Sequence, residues 1–258
     1  MNFFWENGYL HIKSFFDKQK ILSVKKDIDF VFANYCDLEF SDKLIFDLFQ
    51  KDFESFHGCA KLCQNLISLA ALQCDENIIN LLKNIGLRSP VINTRPLLSI
   101  SSPYTSSKDT YWKVPSHQDW PSMQGSLNGI TCWIPLVNID KEIGSLQILP
   151  KSHLFGCLEH QDCGVPFIKD DFENWISVEM EVGDILLFNT FTIHKSGVNI
   201  KEDAIRWSAH FRYDDFQENS FIKRKYPRHR IDKRKEGILY PNFPNENEMR
   251  FYIDSFNI

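Results

Sequence analysis

A change of hydrophobic period at Pro90 constrains this chain more than any other feature of its sequence. Before it, apolar residues recur at three- and four-residue intervals, the spacing of helices with one buried face. Gly8-Tyr9-Leu10-His11-Ile12 alternates and predicts an edge strand at the start. Asp17 stands where it can cap a helix carrying Ile21, Leu22, Val24, Ile28 and Phe32. Ser41 caps a second, with Leu44, Ile45, Leu48, Phe49, Phe53 and Phe56 along one stripe. Leu62, Leu66 and Leu69 continue the pattern in a third, and residues 75–85 make a fourth that Gly86 stops. After Pro90 come short extended runs, at 91–101, 110–116, 128–137, 145–149, 175–180, 184–191 and 205–213, with turn residues between them. Such runs predict a closed antiparallel sheet or jelly roll, mainly β with α flanks and packed against the N-terminal helices. We expect one domain over 1–258. Residues 1–89 form its helical part, 90–215 its sheet core, and 216–258 a C-terminal extension over one mouth of the barrel.

Composition removes several classes. Apolar residues at 43% and charged residues at 24% are ordinary for a globular chain. No apolar run approaches the roughly 18 residues of a membrane span. The opening Met1-Asn2-Phe3-Phe4-Trp5-Glu6-Asn7 lacks a basic n-region and a cleavable apolar segment, so no secretory signal is expected. Seven Cys, without a Cys-x-x-Cys pair, argue for a reducing compartment, and the cytoplasm is the expected setting. His57, Cys59 and Cys63 resemble a zinc fragment but lack a fourth ligand at suitable spacing. Residues 223–235 gather eight Lys/Arg against one Asp, leaving the rest of the chain with a net charge of −12. That remainder would repel phosphate, so no nucleic-acid partner is expected. The basic run is a solvated segment, or a patch that meets an anionic small-molecule substrate or an acidic face of a partner subunit. The oligomeric state is left open.

His117-Gln118-Asp119 is the motif that carries chemistry. Alone it is weak, since eight His and twenty Asp in 258 residues yield about 0.6 His-x-Asp pairs by chance. The chain holds a second copy, His160-Gln161-Asp162, in a stretch with Cys, Gly and Pro that reads as loop. The first copy ends an extended run, and His194 follows 77 residues later, beyond several strands. A period of two along a strand would put His117 and Asp119 on one face. With His194 they make the two imidazoles and one carboxylate of a facial metal triad. Arg206 comes twelve residues after His194, where a second strand can hold a cationic fork for a dicarboxylate. Its strand alternates: Arg206, Ser208, His210 and Arg212 share one face, and Trp207, Ala209 and Phe211 the other. This suits an apolar face under helices and a polar face turned into a cavity. Trp133 shares a face with Thr131, where it either walls a pocket or packs in the core; Ser196 can help Arg206 grip a carboxylate.

Taken together these segments resemble the phytanoyl-CoA dioxygenase (PhyH-like) family of Fe(II)/2-oxoglutarate oxygenases. The residues that carry the resemblance are His117-Gln118-Asp119-Trp120, Trp133-Ile134-Pro135-Leu136, Gly144-Ser145-Leu146 and Pro150-Lys151-Ser152-His153. Gly183-Asp184, His194-Lys195-Ser196-Gly197 with Arg206, and the opening Gly8-Tyr9-Leu10 complete the set. The resemblance implies a double-stranded β-helix (jelly-roll, cupin-like) core. It also implies Fe(II) on His117, Asp119 and His194, and 2-oxoglutarate held by Arg206 with Trp133, Ser196 and Gln118. O₂ would complete the co-substrates, and the intact carboxylate at Asp119 favours hydroxylation over halogenation. His153 is expected to order a loop. Two other readings remain beside this one: a cupin-like isomerase or hydrolase that does not use 2-oxoglutarate, and a non-catalytic ligand-binding relative.

Overall fold

Asp17, Ser41, Asp52 and Asp75 each accept a backbone N–H from the first turn of a helix, and these four caps set the N-terminal architecture. The computed structural model describes residues 2–104, 114–162, 166–168 and 172–227. A short helix α1 (Asn2–Asn7) and strand β1 (Tyr9–Ile12) precede α2 (Lys18–Cys36), α3 (Asp42–Lys51), α4 (Phe53–Cys63), α5 (Ile67–Gln73) and α6 (Glu76–Asn84). The expected second helix is two. Asp52 leaves helical geometry at φ −145° and caps α4 through Ser55, while Phe49, Phe53 and Phe56 cluster across the break. Gly86 ends the helical part at φ +113°, a conformation that disfavours any side chain.

The strands that follow are β2 (Pro90–Ile92), β3 (Leu97–Ser101), β4 (Ile130–Pro135), β5 (Leu146–Ile148), β6 (Gln161–Asp162), β7 (Pro166–Phe167), β8 (Ile176–Val178), β9 (Ile185–Asn189), β10 (His194–Lys195) and β11 (Arg206–Asp215). A four-residue helix α7 (Trp120–Met123) precedes β4, and α8 (Asn219–Lys223) follows β11. Most of the expected strand at 110–116 lies outside the described residues, as does the chain beyond residue 227.

All the pairings among the described residues are antiparallel. The larger sheet runs β1-β9-β4-β11-β2, with β3 also paired to β11, and the smaller runs β10-β5-β8. Among the described residues the sheets face one another without closing into a barrel, which corrects the closed form expected from the sequence and keeps the jelly-roll layout. The chain passes from one sheet to the other between β9 and β10, and His117 forms a bridge with His194 at that crossing.

The alternation of β11 divides the interior in two. Trp207, Ala209, Phe211 and Tyr213 join Ile130, Cys132 and Ile134 of β4 in a core beneath the helices. Phe32 of α2 meets Trp207 edge-on at 5.9 Å, and the Lys25 ammonium lies 4.7 Å from the same ring. Between the sheets a second core holds Trp133, Leu186 and Phe188 against Leu146, Ile148 and Val178. No helix among the described residues is long and apolar enough to cross a membrane.

Trp207 is 1% exposed and joins helices to sheet. Trp207→Ala is expected to cost about 3–5 kcal/mol in urea unfolding, the usual penalty for emptying a large aromatic site. A loss below about 1 kcal/mol would show that α2 does not depend on this contact.

Candidate metal centre

His117 and His194 exchange both backbone hydrogen bonds, each at 3.0 Å, and this pair sets their imidazoles 4.1 Å apart. Each ring is turned by its own chain. His117 Nδ1 donates to the Pro115 carbonyl at 2.8 Å, and His194 Nδ1 to that of Thr192 at 2.9 Å. Carbonyl oxygens only accept, so the proton of each neutral ring sits on Nδ1 and the Nε2 lone pair is left for a ligand. Phe188 packs 4.4 Å from the His194 ring.

Asp119 reaches the same point by a route the sequence did not predict. It lies on no strand: its backbone is helical, φ −70° and ψ −33°, at the start of α7, where Pro121 occupies the first turn. The chain leaves the His117 bridge and turns, so the turn brings the carboxylate round where strand period was expected to. One ligand atom from each of His117, Asp119 and His194 lies within 4.8 Å of the others, and all three residues are buried. Among the described residues no other group of His, Cys, Asp or Glu meets that test. The zinc fragment at His57, Cys59 and Cys63 therefore does not assemble; His57 stacks on Phe53. Gln161 and Asp162 of the second tripeptide form β6, a two-residue strand where loop was expected.

The carboxylate is held on both oxygens. Arg212 donates to Asp119 Oδ2 through Nε at 3.1 Å and to Oδ1 through Nη2 at 2.6 Å, and the Thr131 hydroxyl donates to Oδ2 at 2.7 Å. Burial opposes ionisation of Asp119, but the charge and hydrogen bonds of Arg212 hold its carboxyl well below the usual range. Burial pushes the His117 imidazole down, and burial with the neighbouring His117 takes His194 down to about 3. Two neutral imidazoles and one carboxylate is the protonation state that a divalent ion requires.

Arg206 is also buried, with no acid against it among the described residues. It donates to the Gly144 carbonyl and, at 3.4 Å, to the Ser196 hydroxyl, while its Nε has no partner. Burial lowers it to about 10. Trp133 lies on the inner face of β4 with its ring 6.0 Å from His210. Gln118 does not turn its donors to this space. Its amide nitrogen donates to the Gly156 and Phe191 carbonyls, both at 2.7 Å, and its oxygen accepts from Leu158. It is a tie between loops with no donor left for a carboxylate. His153 orders a loop as expected, through Nε2 and the Trp5 carbonyl at 2.8 Å. Gly8 completes that junction: at φ +79° any Cβ would meet the His153 ring, and its carbonyl accepts from Thr192, the residue that turns His194.

Sequence reasoning put Arg212 and Thr131 on inward faces and gave neither a role. Their signal was the alternation itself, which makes them directly opposed partners on β11 and β4. Of the basic run, Arg224 serves the fold. It donates to the Gln124 and Gly125 carbonyls and its guanidinium lies 5.5 Å from the Trp120 ring.

Comparison with known proteins matches residues 4–207 to the family described as phytanoyl-CoA dioxygenase (PhyH). The chain belongs to that family. Solved structures share the fold at low identity. The non-heme alpha ketoglutarate dependent epimerase SnoN, from nogalamycin biosynthesis, is 18% identical with a TM-score of 0.57, covering 83% of this chain and 80% of its own. HygX from Streptomyces hygroscopicus, with nickel and 2-oxoglutarate bound, is 14% identical with a TM-score of 0.54 over 83% and 84%. EctD from S. alaskensis, with bound Fe, is 14% identical with a TM-score of 0.56 over 84% and 75%. No match was found among curated proteins. In this PhyH-family chain the donor set of His117, Asp119 and His194 fits a divalent metal by its protonation state, its proximity and its burial.

The neutral His194 of this PhyH-family fold makes stability depend on pH. Its pKa falls from 6.5 to about 3 on folding, so the folded chain binds fewer protons between those values and stability rises with pH across that window. At pH 5 this one group costs about 2 kcal/mol relative to pH 7 or above. Urea unfolding of the metal-free protein should give a smaller free energy at pH 5 than at pH 7, and His194→Asn should narrow the difference by about that amount. An undiminished difference in the variant would contradict a buried neutral imidazole.

Proposed function

We propose that this chain is an Fe(II)- and 2-oxoglutarate-dependent dioxygenase that hydroxylates a C–H bond of a small molecule. The observation that carries the reading is a pair of buried features: a neutral two-histidine, one-carboxylate set, and, on the same face of β11 as the Arg212 that holds its carboxylate, an arginine with no acid partner among the described residues. His117, Asp119 and His194 would hold Fe(II), leaving coordination positions for a chelating co-substrate. Arg206 supplies the charge for the distal carboxylate of 2-oxoglutarate, and the Ser196 hydroxyl beside it supplies a hydrogen bond. Trp133 stands opposite His210, between Arg206 and Arg212 along β11, and would wall the co-substrate. When bound, Fe(II), 2-oxoglutarate and O₂ supply a two-electron oxidation in which one oxygen atom enters the substrate C–H bond and the other enters succinate, with release of CO₂.

The chain's own contribution is placement and exclusion of water. The Nδ1 contacts fix both imidazole planes, Arg212 and Thr131 fix the carboxylate, and Phe188 walls the His194 side. A buried guanidinium without a counter-ion is costly, and a dicarboxylate that pairs with Arg206 removes that cost. An enzyme that did not use 2-oxoglutarate would have no evident use for this cation. The substrate partner is a small molecule, and no part of the reading requires nucleic acid or a membrane. The role of an anionic group on it rests on the other basic residues of 223–235, since Arg224 is taken up by the fold.

Succinate release from 2-oxoglutarate tests the assignment. The full chain with Fe(II) and ascorbate should release succinate slowly without substrate. Asp119→Ala should abolish it, and Arg206→Ala should raise the KM for 2-oxoglutarate by at least tenfold. In a substrate screen, hydroxylation gives a product heavier by one oxygen atom. Succinate release unchanged in Arg206→Ala would contradict the co-substrate site, and a product without the added oxygen would contradict hydroxylation.

A further inference from the structure

The side chain of Arg212 is dedicated to one carboxylate. Both of its hydrogen bonds go to Asp119, its Nη1 is buried without a partner, and it makes no ion pair with any other described acid. Arg224, by contrast, spends its guanidinium on backbone carbonyls of a loop, as arginines that serve only the fold do. Thr131 faces Arg212 directly across the β11–β4 pair and donates to the same carboxylate. Asp119 itself stands on a turn, with no strand to fix its side chain. Two cross-strand neighbours therefore give the carboxylate the rigidity that its own backbone does not.

The geometry points to Arg212 as a positioning residue for metal binding: its fork holds both carboxylate oxygens of Asp119, and with Thr131 it fills the two acceptor sites of Oδ2, so that Oδ1 alone keeps one for a metal. This rests on the reading that His117, Asp119 and His194 hold a metal. Oδ1 is the oxygen on the imidazole side, 3.7 Å from His117 Nε2, and Oδ2 is taken by the second arm of Arg212 and by Thr131. A metal entering between the rings meets a carboxylate that is already aimed and cannot chelate through both oxygens. Partners that orient a metal ligand in this way are commonly worth ten- to a hundredfold in affinity. The opposing effect is repulsion between the guanidinium and the ion, which would make removal of Arg212 tighten binding. The two effects have opposite signs, so one titration separates them.

The test uses the full metal-free chain with Mn(II) alone, in isothermal titration calorimetry, and Co(II) alone, read by its visible d–d bands. Neither readout depends on turnover. Arg212→Met should weaken Mn(II) by at least tenfold. Arg212→Lys, which keeps the charge and loses the fork, should also weaken it and should change the position and intensity of the Co(II) bands as the carboxylate gains freedom to bind through both oxygens. A circular-dichroism melt checks folding, and if Arg212→Met does not fold, Arg212→Lys carries the test. Mn(II) affinity equal to or tighter than wild type in the folded variant, or Co(II) bands unchanged in Arg212→Lys, would overturn the assignment. Failure of the wild-type chain to bind either ion would instead overturn the metal site on which it rests.

Discussion

Strand β11 is buried on both faces, and most of the molecule follows from satisfying them separately. Its outer side chains, Trp207, Ala209, Phe211 and Tyr213, need an apolar cover, which the helices provide. Its inner side chains, Arg206, Ser208, His210 and Arg212, carry charge and hydrogen-bonding groups into the buried interior. A buried charge is tolerated only with a partner. Arg212 finds one in Asp119. Among the described residues Arg206 finds two neutral oxygens and no acid. The strand is therefore asymmetric along its inner face, with an arginine paired to a carboxylate at the candidate metal ligands and an arginine hydrogen-bonded to neutral oxygens at the other end.

Backbone contacts hold the rest of the site in place. The two hydrogen bonds between His117 and His194 join the chain ahead of α7 to the crossing between the sheets. The 76 residues between them in sequence are closed into one loop by that bridge, and the Nδ1 contacts then fix each ring from inside its own segment. Gly8 extends this anchoring to the N-terminus. Its carbonyl receives Thr192, and the absent side chain makes room for His153. A motif that reads as an ordinary strand start is thus part of the support behind His194.

Sequence alone carried the β11 alternation, the change of period at Pro90 and the distinction between two identical tripeptides. Those features depend on periodicity and spacing, which the chain displays directly. What it did not carry depends on direction. The stripe from Phe49 to Phe56 continues across the cap at Asp52, so one helix was expected where two occur. The pattern His-x-Asp suggested a strand for Asp119, because a turn stabilised by Pro121 leaves no trace in the spacing. Gln118 stood between two metal ligands and was assigned to the co-substrate, yet three backbone groups saturate its amide. Arg212 was visible on the right face, but its partner lies 93 residues away and only the folded chain reveals it.

His117, Asp119 and His194 are proposed to hold a divalent iron, and Arg206 a 2-oxoglutarate that binds with it. Anaerobic addition of Fe(II) and then 2-oxoglutarate to the full chain, followed by visible absorption, tests that joint occupancy without knowledge of the substrate. The account predicts a metal-to-ligand charge-transfer band that needs both additions, is lost in Asp119→Ala and is weakened in Arg206→Ala at subsaturating 2-oxoglutarate. Absence of the band in the wild-type chain, or a band undiminished in Arg206→Ala, would contradict it.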